Sequence, residues 1–177
     1  MFVGATDFID LVGEPSWSKY FVQIHIFRVE YLSREGSLQL IERPIPDFKL
    51  KYAEGLPERI WQLTQGHPHL LHSICSDLVD YANIVPKNPV DHADLDKILE
   101  EKTMQRGEQP FVGFWDEFCQ SPSMREAVLA IANKQAVDKN LPDVRRLLHY
   151  KYVVQDSEGT LRMRVPLFER WLLEFGY

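Results

Sequence analysis

Apolar residues recur at helical spacing through the middle of the chain. The clearest pattern begins at Pro68, where apolar positions separated by three or four residues alternate with polar ones and predict a long amphipathic helix. Its apolar positions are Leu70, Leu71, Ile74, Cys75, Leu78, Val79 and Ala82. Shorter helices are predicted at residues 33–41, 57–65 and 91–99. Ser33 and Asp91 are suitable N-caps for two of them, and Gly66 stands where a C-cap glycine belongs.

The second half of the chain combines helical spacing with a short stretch of strict alternation. Helices are predicted to begin near Phe111, Pro122, Pro142 and Pro166, and strands are predicted at residues 152–154 and 161–165. A turn with the sequence Asp-Ser-Glu-Gly lies between the two strands. Three helices followed by a β-hairpin are typical of a winged helix.

The chain divides by pattern into three parts. Residues 21–31 alternate between apolar and polar, which predicts a strand, while Gly107 and Pro110 interrupt the later helical pattern. The excess negative charge lies entirely within residues 1–110, because residues 111–177 are neutral. We therefore expect a mostly α fold with minor β (α+β). Its parts are a strand-containing segment at 1–32, a helical subdomain at 33–106 and a winged-helix domain at 107–177.

Composition and charge narrow the class of protein. Hydrophobic residues make up 45% of the 177 and charged residues 26%, which is typical of a globular protein. The net charge of −6 disfavours a general nucleic-acid or membrane-surface binder, because both need clustered Lys and Arg. No apolar run is long enough to span a membrane and the start of the chain lacks signal-peptide features, so we expect a cytoplasmic protein.

The glycine positions exclude a phosphate-binding loop within this chain. The nine glycines are too far apart for either G-x-G-x-x-G or G-x-x-x-x-G-K-[ST]. No serine lies in a G-x-S-x-G motif, and Cys75 and Cys119 fall in apolar helical patterns that are typical of reduced, inert core thiols. The sequence therefore predicts no catalytic residues.

Three histidines lie close together around Pro68. His69 and His72 are three residues apart on a helix, a spacing from which two side chains can share a metal, and His67 precedes them. No H-E-x-x-H glutamate accompanies them, so we favour a structural role and predict no metal site. A metal-dependent enzyme at these three histidines is the weakest of the functions considered.

Basic residues gather on the third winged-helix helix and on the hairpin. They are Arg145, Arg146, His149, Lys151, Arg162 and Arg164. In a DNA-binding winged helix such residues would contact base edges and phosphates. Asp143, Asp156 and Glu158 lie among them and this half of the chain is neutral, so we do not expect nucleic-acid binding. A stand-alone winged-helix DNA-binding regulator remains the alternative function.

Four segments together resemble the C-terminal portion of an AAA+/STAND-type P-loop ATPase. The most specific is residues 63–71, which is similar to the family's T-x-G-H-P-[YF]-L-L segment. Phe2-Val3-Gly4 resembles the end of its sensor-1 strand, residues 27–33 resemble the next core strand entering the lid, and residues 164–172 resemble its terminal winged-helix signature. The resemblance covers almost the whole chain and implies a core remnant at 1–32 and a lid at 33–106.

The resemblance implies a nucleotide site of which this chain would supply only a part. In the family the G-x-P loop lies against the adenine of the bound nucleotide, so Gly66, His67 and Pro68 would be close to ATP or ADP once a core is supplied. A glycine there allows close backbone approach, and the following helix N-terminus offers N–H groups. His69 stands at the position of the sensor-2 arginine of many AAA+ proteins.

The family's phosphate loop, its lysine and its Mg²⁺-holding acid all precede the sensor-1 strand at which this chain begins. We therefore expect no cofactor in this chain alone and no ATP hydrolysis by it. The expected function is that of a non-catalytic lid and winged-helix regulatory module. Its expected partners are the P-loop core or another protein domain. A homodimer through exposed strand edges near the start of the chain, or disorder of those residues, would follow from their missing sheet neighbours.

Overall fold

The computed structural model of the chain describes residues 30–104 and 108–175. The predicted strand at residues 1–4 lies outside these ranges, as does the predicted dimerisation. Of the predicted strand at residues 21–31, residues 21–29 also lie outside them, and residues 30 and 31 belong to no strand. The described residues are mostly helical, with one small antiparallel sheet, so the predicted mostly α fold with minor β is confirmed. Residues from Tyr31 onward form one compact unit.

The helices begin close to the residues that the sequence pattern indicated. The α-helices are α1 (Arg34–Glu42), α2 (Leu56–Thr64), α3 (Pro68–Ile84), α4 (His92–Ile98), α5 (Pro122–Ala132), α6 (Pro142–His149) and α7 (Pro166–Phe175). Two π-helical stretches, π1 (Leu99–Thr103) and π2 (Glu108–Phe118), lie between α4 and α5. The strands are β1 (Val153–Gln155) and β2 (Leu161–Met163).

Side-chain caps explain why several helices start where they do. The Ser33 hydroxyl accepts a hydrogen bond from the Gly36 N–H at 3.0 Å, which satisfies one of the unpaired amides of the first turn of α1. Asp91 and Asp94 form a reciprocal capping box at α4, with the Asp91 carboxylate accepting from the amides of residues 93 and 94. The Lys87 ammonium lies within 2.8 Å of both carboxylates and neutralises them. The caps predicted at Ser33 and Asp91 are confirmed.

The helix type of π2 differs from what the pattern suggested. Phe111, Phe114, Trp115 and Phe118 are all buried, so the prediction of one apolar face is confirmed. The backbone bond from the Cys119 N–H to the Phe114 carbonyl, 3.0 Å long, spans five residues, whereas an α-helix spans four. The spacing of apolar residues cannot distinguish a π-helix from an α-helix, because in both helices residues that are three or four positions apart lie on the same side.

The hairpin has the predicted turn and a shorter second strand. Val153 pairs with Met163 and Gln155 with Leu161. The Asp156 carboxylate accepts hydrogen bonds from the amides of residues 158 and 160, which closes the turn. The second strand ends at Met163 and not at Val165. Pro166, which has no N–H to donate, begins α7 three residues after Met163, the last residue of the strand.

Aromatic side chains of π2 and α7 build the centre of the core. The Phe111 and Phe168 rings meet edge to face at 5.1 Å, and Phe111 also stacks on Trp171 at 5.6 Å. Helix α7 contacts α2 as well as α5 and β2. The hydrophobic core is therefore continuous from the residues before position 107 to those after it. The predicted domain boundary at residue 107 stays a prediction.

Among the described residues, every helix is either too short or too polar to cross a lipid bilayer. This agrees with the absence of a long apolar run in the sequence.

The π2–α7 contact predicts a large stability difference between neighbouring positions. Phe111→Ala should lower the free energy of unfolding by about 3–5 kcal/mol, because it removes a fully buried ring. Val112→Ala, at a partly exposed position next to it, should change stability by about 1 kcal/mol or less. Chemical denaturation of both variants measures the difference. Equal losses would contradict the placement of Phe111 in the core.

Candidate functional site

The segment that carries the strongest family resemblance is the turn between α2 and α3, residues 65–67. Gln65 has φ 48° and Gly66 has φ 74°, so two successive residues in the left-handed region reverse the chain. The His67 N–H donates to the Thr64 carbonyl at 2.9 Å, and α3 begins at the next residue, Pro68. The predicted Gly66 terminus of α2 is confirmed, with Gln65 sharing the left-handed conformation.

Gly66 lies directly against the backbone of Leu32. The Leu32 N–H donates to the Gly66 carbonyl at 2.8 Å. A Cβ at position 66 would stand 2.1 Å from the Leu32 carbonyl oxygen, a distance at which one of the two backbones would have to move. The close approach expected at this glycine is thus made by the chain's own backbone.

The His67 side chain closes the first turn of α3. Its Nδ1 accepts a hydrogen bond from the Leu70 N–H at 3.4 Å, which makes it the N-cap. The Leu71 N–H bonds the His67 carbonyl, and Pro68 has no N–H. Among the described residues, the His69 N–H is the first-turn amide without a partner. The helix N-terminus therefore offers one backbone donor, fewer than the sequence suggested.

The His67 ring lies between two aromatic rings from distant parts of the chain. Its centroid is 5.5 Å from that of Tyr31 and 5.4 Å from that of Phe168, with both rings edge-on. Burial among them disfavours the imidazolium and lowers the pKa of His67 to about 4, with a smaller contribution from nearby His69. His67 is therefore a neutral hydrogen-bond acceptor at neutral pH.

The side chain of Arg164 adds a positive charge beside these rings. The Arg164 guanidinium lies over the Tyr31 ring, 3.8 Å from its centroid, within the range of a cation–π contact. Burial raises the pKa of Tyr31, so its phenol stays protonated. Tyr31, Gly66, His67, Arg164 and Phe168 are referred to below as the His67 cluster.

The other two histidines of the weakest alternative, a metal-dependent enzyme, do not join this cluster. His69 and His72 are exposed on α3, whereas His67 is directed inward and uses its Nδ1 as the helix cap. In residues 30–104 and 108–175 there is no group of three His, Cys, Asp or Glu side chains arranged to hold a metal ion.

The structure separates the predicted nucleic-acid residues into two groups. Arg145, Lys151 and Arg162 are exposed. Arg146 packs its guanidinium 5.2 Å from the centroid of the Phe118 ring, and Arg164 packs on Tyr31. Arg146 nevertheless stays exposed, as does His149, so Arg164 is the one of the six basic residues that is half-buried.

Neither cysteine is a reactive thiol. Cys119 is fully buried and Cys75 partly so, and burial raises the pKa of each thiol to about 12. Both side chains therefore remain protonated at neutral pH and lack the thiolate that nucleophilic or redox chemistry requires.

Sequence reasoning identified Gly66 and His67 but missed what surrounds them. Tyr31 was assigned to a strand and Phe168 to the apolar face of the last helix, and no spacing rule brings residues 31, 67 and 168 together. Only the T-x-G-H-P resemblance singled out this turn.

No protein family model matches the chain, and a comparison with curated proteins found no significant match. The AAA+/STAND resemblance accordingly stays a prediction.

The Leu32 contact predicts that two glycines with the same backbone conformation respond differently to substitution. Gly55→Ala, at φ 74° with open space around the added Cβ, should cost about 1–2 kcal/mol for left-handed strain. Gly66→Ala carries the same strain and should lose about 1–3 kcal/mol more from overpacking against Leu32. Denaturant titration of the two variants isolates the steric effect. A loss at Gly66 no larger than at Gly55 would disprove the close approach.

Burial of His67 predicts a loss of stability in mild acid. Its folded pKa of about 4 lies below the ordinary value of 6.5, so the unfolded chain binds the extra proton. The stabilisation is complete above pH 6.5 and disappears as the pH falls toward 4. Between pH 8 and pH 5 the wild type should lose about 2 kcal/mol more than His67→Asn, which retains a capping group but does not titrate. Denaturation at both pH values measures this, and parallel pH profiles would refute it.

Proposed function

We propose that this chain is a non-catalytic regulatory module of an AAA+/STAND-type ATPase, made of a helical lid at 33–106 and a winged helix at 107–177. In this role it changes position relative to a nucleotide-binding core that carries the phosphate loop and the Mg²⁺ site. Its output is an interaction within the same protein or with another protein.

The observation that carries the proposal is the His67 cluster. The G-H-P segment, which the resemblance places next to the nucleotide, contacts residues 31–32 on one side and Phe168 on the other. A module that reports nucleotide state must convert a small shift at the nucleotide into a movement of a packed body. A turn that touches both the start of the lid and the last helix is suited to do this.

The order of elements also supports the proposal. Three helical segments, π2, α5 and α6, precede the β1–β2 hairpin, and α7 follows it. This is the sequence of elements expected of the winged-helix part. The proposed contact of Gly66, His67 and Pro68 with ATP or ADP requires the backbone of residue 32 or a neighbouring side chain to make room, since the space beside Gly66 is occupied.

The basic surface gives less support to the DNA-binding alternative. Arg146 and Arg164 are stacked on aromatic rings, and the exposed cations come from α6, the segment after it and β2. A net charge of −6 adds repulsion from a phosphate backbone.

The proposal predicts that the purified chain neither turns over ATP nor binds duplex DNA in a salt-dependent way. Added to the P-loop protein with which it associates, it should change that protein's nucleotide affinity by about 5-fold or more, the usual range of allosteric coupling. Phosphate release, fluorescence anisotropy with labelled duplex at two salt concentrations, and nucleotide titration are the three measurements.

Two outcomes would overturn the proposal. One is ATP turnover by the chain alone that is lost in Gly66→Ala and retained in Gly55→Ala. The other is duplex binding that falls steeply with salt and is abolished by Arg145→Ala with Arg162→Ala, which would establish the DNA-binding alternative.

A further inference from the structure

Residues 30–33 precede the first helix and lie beside the turn between α2 and α3. They form no helix or strand, and α1 begins only at Arg34. The bond from the Leu32 N–H to the Gly66 carbonyl is the backbone hydrogen bond that ties Leu32 to the α2–α3 turn. The side chains of Tyr31 and Leu32 also pack against the hydrophobic core.

The Tyr31 ring is held from two sides by groups that belong to different elements. Arg164, directly before α7, covers one face of the ring, and His67, the cap of α3, meets it edge-on. Among the described residues, the Arg164 guanidinium has no carboxylate partner, so the Tyr31 ring is its principal contact. Contacts of this kind are individually weak and can be broken without unfolding a helix.

We propose that Tyr31 is the release point of a conformational clasp, formed by its contacts with His67 and Arg164, that fastens the beginning of α7 to the beginning of α3. When Tyr31 leaves, Arg164 loses its partner and one side of the His67 ring is exposed. The first turns of α3 and α7 then loosen together. This inference concerns the fold itself and does not rest on the proposed regulatory function.

The packing confines the effect to these two helix ends. His67 caps α3 through Nδ1 and also contacts Phe168 in the first turn of α7, so a movement of its ring reaches both. Further along α3, Leu71, Ile74 and Leu78 are fully buried and hold the helix independently of the cap. Release of Tyr31 thus changes the ends of the helices without removing their cores.

Hydrogen exchange of the full chain tests the clasp. Tyr31→Leu keeps the apolar volume and removes the ring, and it should speed exchange about tenfold at the hydrogen-bonded amides of residues 70–72 and 168–172. Amides in α5 should change less than twofold. Tyr31→Phe retains the ring and should match the wild type.

Arg164→Met tests the same contact from the other side. It should accelerate exchange at the same two helix ends, and combining it with Tyr31→Leu should add less than twofold, because both substitutions break one contact. Arg146→Met, which removes a comparable contact over Phe118, is the matched control and should leave residues 70–72 unchanged.

Three results of the exchange experiments would contradict the proposal. Faster exchange spread evenly over all helices, unchanged exchange in residues 168–172, or fully additive effects would each overturn the clasp. If Tyr31→Leu fails to fold, Arg164→Met alone tests the clasp, because it leaves Tyr31 and the apolar core in place.

Discussion

The arrangement of the molecule depends on the contact between two backbones, at Leu32 and Gly66. A side chain of any size at position 66 would strike the Leu32 carbonyl, and the left-handed conformation there further favours glycine. Because the two backbones meet, Tyr31 is brought beside His67, and His67 in turn reaches Phe168. The close approach thus adds a contact between the start of α7 and the helical half of the protein, beside the packing of the Phe111, Phe168 and Trp171 rings.

His67 has three structural roles, and its neutral state serves all of them. Its ring nitrogen caps α3, its edges contact two other rings, and its burial keeps it uncharged. A charged imidazolium would lose the acceptor at Nδ1 and place an unpaired charge among the rings of Tyr31 and Phe168. His67, which lies in the segment that resembles a nucleotide-site element, therefore connects separate parts of the fold.

Local features of this protein are predictable from its sequence, and its long-range contacts are not. Ser33, Asp91 and the prolines at helix starts act on neighbouring amides within a few residues, so their positions were enough to place the helices. The π-helical form of residues 108–118 was not predictable, because apolar spacing is similar in both helix types. The contact of Arg164 with Tyr31 was also not predictable from the sequence. Arg164 was grouped with the other hairpin cations by its position in sequence, whereas its partner comes from the opposite end of the described chain.

The ring contacts around His67 have a consequence for the order of events during synthesis. Phe168 is made long after His67, and ribosomal synthesis delivers the chain from its N-terminal side. Until residue 168 has left the ribosome, α3 can form with its cap, but the His67 ring remains open to water and to protonation. Closing the intervening loop costs entropy before its contacts are gained, so the attachment of α7 is expected among the last steps of folding. A nascent chain stalled before that point would carry its helical half without the helix that covers it.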